Sequence, residues 1–319
     1  MSGYSMFKNA QARERVLAEY EAVLERWPVP LERLRVTTAA GETAVLAFGP
    51  SEESAAALRG PGTAEAAPPR PPLFLLHGTG SNSSMWVGDA AALARGRRIF
   101  ALDIPGEPGM SAETMLDWQS GNPGARAGGA HSGAGAAGID AAAWLGEAIA
   151  ALGFGGKPHS IAGLSLGGWI GLSYAIGRPE GLEALALLCP AGIGRSRPSF
   201  IAKAIAAGIF FGPRSAEIIT RMLYGDEEPH PEAIRIGALM AGSFNARMES
   251  PRLFSDAELS GIAARVALWA GSKDALLDSR GSVARLGRVL PGAKIRLLAG
   301  RGHALPGLGE EMAGFLDCR

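Results

Sequence analysis

The chain has 319 residues, 47% of them hydrophobic, with 31 basic and 31 acidic side chains and a formal net charge of zero. That length fits one large domain or one domain with an insertion, and the even charge balance leaves no surplus to hold a polyphosphate backbone or an anionic bilayer. Cys189 and Cys318 make no disulfide framework, residues 1–26 hold no uninterrupted apolar signal segment, and the apolar runs are too short or too interrupted to span hydrocarbon, so the expectation is a soluble cytoplasmic protein with no nucleic-acid or membrane partner.

Val16, Leu17, Tyr20, Val23 and Leu24 recur at helical spacing until Pro28 and Pro30 stop the pattern, which predicts a helical lead-in over residues 1–30. Residues 31–37 and 42–48, separated by Ala39-Ala40-Gly41, predict a hairpin. Residues 50–72, rich in Ala, Pro and Gly, predict a surface loop. Short apolar runs then follow at 73–76, 98–102, 160–164, 185–189, 266–270 and 294–298. Helical patterns lie between most of them, at 84–94, 141–152, 165–176, 280–290 and 308–316. This alternation predicts the α/β class, with a mostly parallel sheet covered by helices on both faces.

Two stretches break the rhythm. Residues 121–138 are almost entirely Gly, Ala, Ser and Arg and predict a loop with little fixed structure. Residues 198–254 are helical and apolar, with more apolar surface than one crossover requires. They predict an inserted cap at 196–254 on a core formed by 31–195 and 255–319, with extra core helices as the alternative.

Gly163-Leu164-Ser165-Leu166-Gly167-Gly168 stands between an apolar strand and a helical pattern. G-x-S-x-G in that setting marks a sharp strand-to-helix turn that lifts a serine hydroxyl above the sheet. Only residues without side chains fit two before and two after it. A serine hydroxyl needs a histidine base, and the base needs an orienting carboxylate. Of the five histidines, His131, His159 and His230 read as surface residues and His77 as an organiser of its own turn. His303, in a glycine-flanked loop after the last strand, is the candidate base. Asp274 lies just past the run 266–270 and is the candidate acid, with Asp278 the runner-up. The order Ser, Asp, His, each at a strand end, points to acyl transfer.

On these residues the sequence resembles the α/β-hydrolase fold superfamily, and bacterial carboxylesterases in particular, over about residues 31–315. His77-Gly78 followed by Trp86 resembles the family's oxyanion loop. The resemblance implies Thr79 as one backbone oxyanion donor, beside the Leu166 N–H at the helix start. Asp103-Ile104-Pro105-Gly106-Glu107-Pro108-Gly109-Met110-Ser111 resembles the family's Asp-x-x-Gly-x-Gly-x-Ser turn with Glu107-Pro108 inserted. Trp27-Pro28-Val29-Pro30 adds to the likeness, whereas the family's usual Pro shortly after the acid is missing. Ser165 disfavours the members that use a carboxylate nucleophile.

The expected activity is hydrolysis of a small-molecule carboxylic ester of modest size and apolar character, through an acyl-enzyme and without a cofactor. Phe210, Phe211, Met222, Tyr224 and Phe244 are the candidates to line the substrate pocket. Thioester, lactone or ketone-adjacent carbon–carbon cleavage, and ligand binding without turnover, are the alternatives; the oligomeric state is not legible. Residues 133–138 satisfy G-x-G-x-x-G but lack the preceding strand a dinucleotide site requires. Cys189 reads as a small buried hydrophobe, and no metal-ligand spacing is present.

Overall fold

The computed structural model describes residues 5–51, 70–119, 139–247 and 249–318. The greater part of the expected loop at 50–72, all of 121–138, His131 and the glycine motif at 133–138 lie outside the described residues. The chain enters through helix α1 (Ala10–Leu24), whose N-terminus is capped by the Asn9 side chain accepting from the Ala12 N–H. Strands β1 (Leu31–Thr38) and β2 (Gly41–Phe48) form the expected antiparallel hairpin, Leu31 opposite Phe48. Strand β3 (Leu73–Leu76) follows, then a 3-10 turn (Ser83–Gly88), a single helical turn α2 (Ala90–Leu93) and β4 (Ile99–Leu102). Two-residue strands β5 (Leu116–Asp117) and β6 (Ile139–Asp140) pair with each other ahead of α3 (Ala141–Ala151). Next come β7 (His159–Leu164), α4 (Leu166–Ile176) and β8 (Leu182–Leu188). Three helices, α5 (Pro198–Phe211), α6 (Ser215–Tyr224) and α7 (Pro231–Ser243), separate β8 from the short α8 (Asp256–Ser260). The chain closes with β9 (Arg265–Gly271), α9 (Ser279–Val289), β10 (Lys294–Leu298) and α10 (Gly309–Asp317).

The main sheet has eight strands in the order β1-β2-β4-β3-β7-β8-β9-β10. β2 is antiparallel to both neighbours, and every pairing from β4 to β10 is parallel. Alternate residues of each central strand enter opposite apolar layers, as the two-residue period of a strand dictates. Phe74, Leu76, Leu185, Leu187 and Leu268 pack with Trp144, Leu145, Trp169 and Ile170 of α3 and α4. Leu73, Leu75, Ala186, Leu188 and Trp269 pack with Tyr20, Trp86, Leu93, Met312 and Phe315 from α1, the 3-10 turn, α2 and α10. The three leucines and the phenylalanine of β3, β7's neighbour, are thus wholly inside only when both layers are in place, Leu73, Phe74, Leu75 and Leu76 all with 0% exposure. Each fully buried leucine contributes about 1.5–3 kcal/mol.

Two expected elements differ in the structure. The helix expected over 84–94 breaks at Asp89, whose carboxylate turns away to accept the Gly309 N–H at 2.7 Å and so ties α2 to α10. The strand expected to end at Cys189 ends at Leu188, because Cys189 takes a left-handed backbone with φ of 38°.

Candidate active site

The parallel strands deliver their carboxyl ends to one edge of the sheet, and the loops that leave β3, β7, β8, β9 and β10 carry the sequence-predicted residues there. Such an edge is the usual place for a site in an open α/β sheet. Leu76 stands opposite Gly163, Leu164 opposite Leu188, and Leu298 opposite Gly271, so the five loops begin nearly level.

Ser165 lies between β7 and α4 with φ 53° and ψ −108°, a strained backbone for a residue with a side chain. Its N–H donates to Leu188 O at 2.9 Å, and its own carbonyl accepts from Trp169 N and Ala191 N. These bonds pin the turn on both sides. A Cβ on Gly163 would come 2.4 Å from the Gly167 backbone, and one on Gly167 would come 2.3 Å from Leu76 O. Glycine at both positions is therefore what allows α4 to start so close above β3 and β7. Leu166 is buried as the first residue of α4, where backbone N–H groups have no helical carbonyl to meet.

His303 and Asp274 are paired. The His303 Nδ1–H donates to Asp274 Oδ2 at 2.9 Å, with both residues buried, which leaves Nε2 as the basic nitrogen. Ser279 Oγ donates to the same Asp274 oxygen at 3.0 Å, and Leu276 N and Leu277 N donate to Oδ1 at 2.8 and 3.0 Å. Burial alone would raise this carboxyl. The His303 interaction and the two backbone donors outweigh it and hold Asp274 below the ordinary aspartate range. Asp278 is elsewhere: it caps α9 by accepting the Gly281 N–H and lies 3.6 Å from Arg197. Ser165 Oγ makes no hydrogen bond among the described residues, and such contacts commonly close only when substrate is bound.

Thr79 is exposed on the loop after β3, and a Cβ on neighbouring Gly78 would come 3.6 Å from Ser165 Cβ, which sets this loop directly against the serine. His77 holds the loop from within. Its Nε2 accepts the Ile104 N–H at 2.9 Å and its Nδ1–H meets Gly78 O at 2.9 Å, so the buried ring is neutral, with burial lowering its basicity.

Of the apolar candidates, Phe244 is buried with Met6, Phe7 and Val16 and lies within 4 Å of where a Gly80 Cβ would stand. Met222 and Tyr224 are half-buried, and the Tyr224 carbonyl accepts the Gly302 N–H next to His303. Ala304 N donates to Leu223 O on the other side, so the end of α6 clasps the histidine loop. Phe210 and Phe211 are instead 77% and 54% exposed. α5 is apolar apart from Ser199 and Lys203, which left little to tell in advance which face would be covered; Ala207, at 3% exposure, marks the face that is.

Cys189, Asp274 and His303 place one donor atom each within 4.8 Å of one another. Two of those atoms are already hydrogen-bonded together, and burial pushes the Cys189 thiol up, away from the thiolate a metal would require. The set fits an acid–base pair with a packed thiol. Sequence reasoning missed Ser279, whose hydroxyl at the start of α9 reaches back five residues to Asp274, and the Leu223-Tyr224 clasp, which depends on which loops the sheet brings together.

The profile of the alpha/beta hydrolase family matches residues 73–317. The chain belongs to the alpha/beta hydrolase family. Within that family it is carboxylesterase-like over nearly its whole length. It is 26% identical over 314 residues to carboxylesterase YbfK of Bacillus subtilis, covering 94% of this chain and 90% of that protein. It is also 26% identical to the uncharacterized carboxylesterase nap of Bacillus subtilis, covering 90% and 85%. The crystal structure of naproxen esterase (carboxylesterase NP) from Bacillus subtilis superposes with a TM-score of 0.74 at 21% identity, covering 97% of each chain. This last likeness is one of fold. No helix among the described residues of this alpha/beta hydrolase is long and apolar enough to cross a membrane.

Proposed function

We propose that this alpha/beta hydrolase cleaves small carboxylic esters through a Ser165 acyl-enzyme. The observation that carries the reading is the buried His303–Asp274 pair, 2.9 Å apart, on the sheet edge where Ser165 occupies a strained glycine-flanked turn. In this mechanism His303 Nε2 takes the Ser165 proton as Oγ attacks the ester carbonyl, and Asp274 holds the ring in the tautomer that can accept it. The backbone N–H groups of Thr79 and Leu166 receive the oxyanion. His303 then protonates the departing alcohol, and in the second half takes a proton from water, which attacks the acyl carbonyl and releases the acid.

Residues 196–254 act in this reading as a cap whose α6 end supports the histidine loop, with Met222, Tyr224 and Phe244 toward an apolar pocket of modest size. Phe210 and Phe211 would reach a substrate only at the outer rim, given their exposure. Both cysteines are free, which suits a reducing, cytoplasmic setting. The test is hydrolysis of p-nitrophenyl esters of increasing acyl length by wild type and Ser165→Ala, with fluorophosphonate labelling alongside. Turnover and labelling present in the wild type and both lost in the variant are expected. Labelling without turnover of any ester would overturn the substrate class, and ester turnover surviving in Ser165→Ala would overturn the mechanism.

A further inference from the structure

Glu107, from the two-residue insert in the turn after β4, reaches the oxyanion loop. Its Oε2 accepts the Gly80 N–H at 2.6 Å, one residue beyond Thr79. The side chain is 1% exposed, and its second oxygen, Oε1, is buried with no hydrogen-bond partner among the described residues. The turn that carries it is fixed. Asp103 accepts from Ser83 N, Met110 N and Tyr20 Oη, Asn82 Nδ2 donates to Pro108 O, and Gly109 N donates to Glu107 O. Gly80 has φ 69°, a left-handed backbone, so its N–H is aimed by the turn and needs an acceptor there.

We propose that Glu107 is a positioning residue of the oxyanion loop that must be a neutral acid to do its work, so that its ionisation sets an alkaline limit on catalysis. In either protonation state an oxygen of Glu107 takes the Gly80 N–H; only as the neutral acid does it do so without a charge behind the neighbouring Thr79 N–H. Once ionised, it places a full negative charge behind the donors that must stabilise a second negative charge.

A buried carboxylate with one unsatisfied oxygen is far costlier than the neutral acid in the same place. Burial accordingly pushes Glu107 up to about 8, against the pull of the Gly80 N–H and the Arg247 charge. Arg247 is the cation that draws it down, and it is itself occupied with Leu116 O at 2.7 Å, with Glu249 and with the face of Trp118. Of the ionisable groups on the adjoining elements, Asp103 lies on the same turn, His77 on the loop after β3 and Tyr20 on α1, and exposed Glu113 just past the turn pairs with Arg13 of α1. His77 is bonded to Ile104 N, and Tyr20 to Asp103. An oxyanion one residue farther along the loop would be roughly 6–8 Å from the charge, enough to slow acylation on the order of 10-fold.

This inference rests on the serine-hydrolase reading, and its test separates the two. Fluorophosphonate inactivation of Ser165, which needs no knowledge of the natural ester, is followed from pH 6 to 10 in wild type, Glu107→Gln and Glu107→Ala, together with the Gly80 amide resonance. The wild type is expected to label at neutral pH and to lose about 10-fold in rate above pH 8, with the Gly80 resonance titrating over the same range. Glu107→Ala, lacking the acceptor, is expected to be slow throughout. Glu107→Gln, whose amide oxygen can take the Gly80 N–H, is expected to recover most of that loss and to have neither the alkaline fall nor the Gly80 titration. An alkaline fall of the same size in Glu107→Gln overturns the role of Glu107 and leaves the hydrolase reading intact. Failure of the wild type to label at Ser165 overturns the hydrolase reading and this inference with it.

Discussion

Replacing Asp274 with Asn removes a charge while keeping the shape, and the hydrogen bonds around it determine how the new amide must sit. Oδ1 receives two backbone donors, Leu276 N and Leu277 N, at 2.8 and 3.0 Å. An NH2 group there would face two N–H groups, so the amide oxygen takes that place and the NH2 group turns toward His303. Nδ1 of His303 must then accept, its proton moves to Nε2, and the nitrogen that should receive the Ser165 proton is already protonated. The expected loss is about 10³- to 10⁴-fold in kcat, equivalent to about 4–5.5 kcal/mol of transition-state stabilisation, the size such a tautomer reversal has in serine hydrolases. Because the backbone donors keep their acceptor, the variant should fold. The assay is p-nitrophenyl ester hydrolysis, with circular dichroism and thermal denaturation as the check on folding. A well-folded Asp274→Asn protein with kcat within 10-fold of wild type would refute the assignment of Asp274 as the orienting carboxylate.

Gly167→Ala puts a Cβ 2.3 Å from Leu76 O and 2.7 Å from His77 O, both backbone atoms that no rotamer change can move aside. A stability loss of about 2–3 kcal/mol by urea denaturation is expected, with esterase activity falling further than stability because the displaced helix start carries the Leu166 donor. A destabilisation below about 0.5 kcal/mol would mean the elbow is looser than described. At the start of α8, Glu258 meets Arg252 at 2.7 Å and closes a capping box with Ser255. Burial would raise this carboxyl, but those partners outweigh it and lower it to about 2. A depressed acid stabilises the fold above its unfolded value near 4.5 and loses that contribution as pH falls toward 2. Glu258→Gln should therefore cost about 1–2 kcal/mol at neutral pH and flatten the acid limb of the stability curve between those values, which denaturation at a series of pH values would show.

Much of the candidate site was legible because each of its parts has a local cause. The glycines around Ser165 are required by backbone contacts under 2.5 Å, and a sequence records that requirement as G-x-S-x-G. β3 and β8 read correctly as strands because burial on both faces leaves little room for polar residues, and β8 was begun late only because exposed Glu183 interrupts its apolar run. What the sequence left hidden are relations between loops. The choice of Asp274 over Asp278 depends on where the chain turns after β9, and both carboxylates follow the same strand within a few residues. Glu107 stood out as part of an insert, yet its partner Gly80 lies 27 positions away on a strand-end loop, and only the β3–β4 pairing brings them together. The outward face of α5 was hard to read for a different reason, since a helix whose polar residues are only Ser199 and Lys203 carries little periodic signal of its orientation.

The central claim is that the chemistry passes through a covalent acyl group on Ser165. Rapid mixing of the wild-type enzyme with a p-nitrophenyl ester, acid quenching within the first turnover and peptide mass spectrometry tests it directly. The expected result is a burst of p-nitrophenol approaching one equivalent per chain, with the acyl mass on the peptide that contains Ser165 and absent from the Ser165→Ala protein. Steady ester turnover with the Ser165 peptide unmodified, or with the acyl group on another residue, would contradict the account.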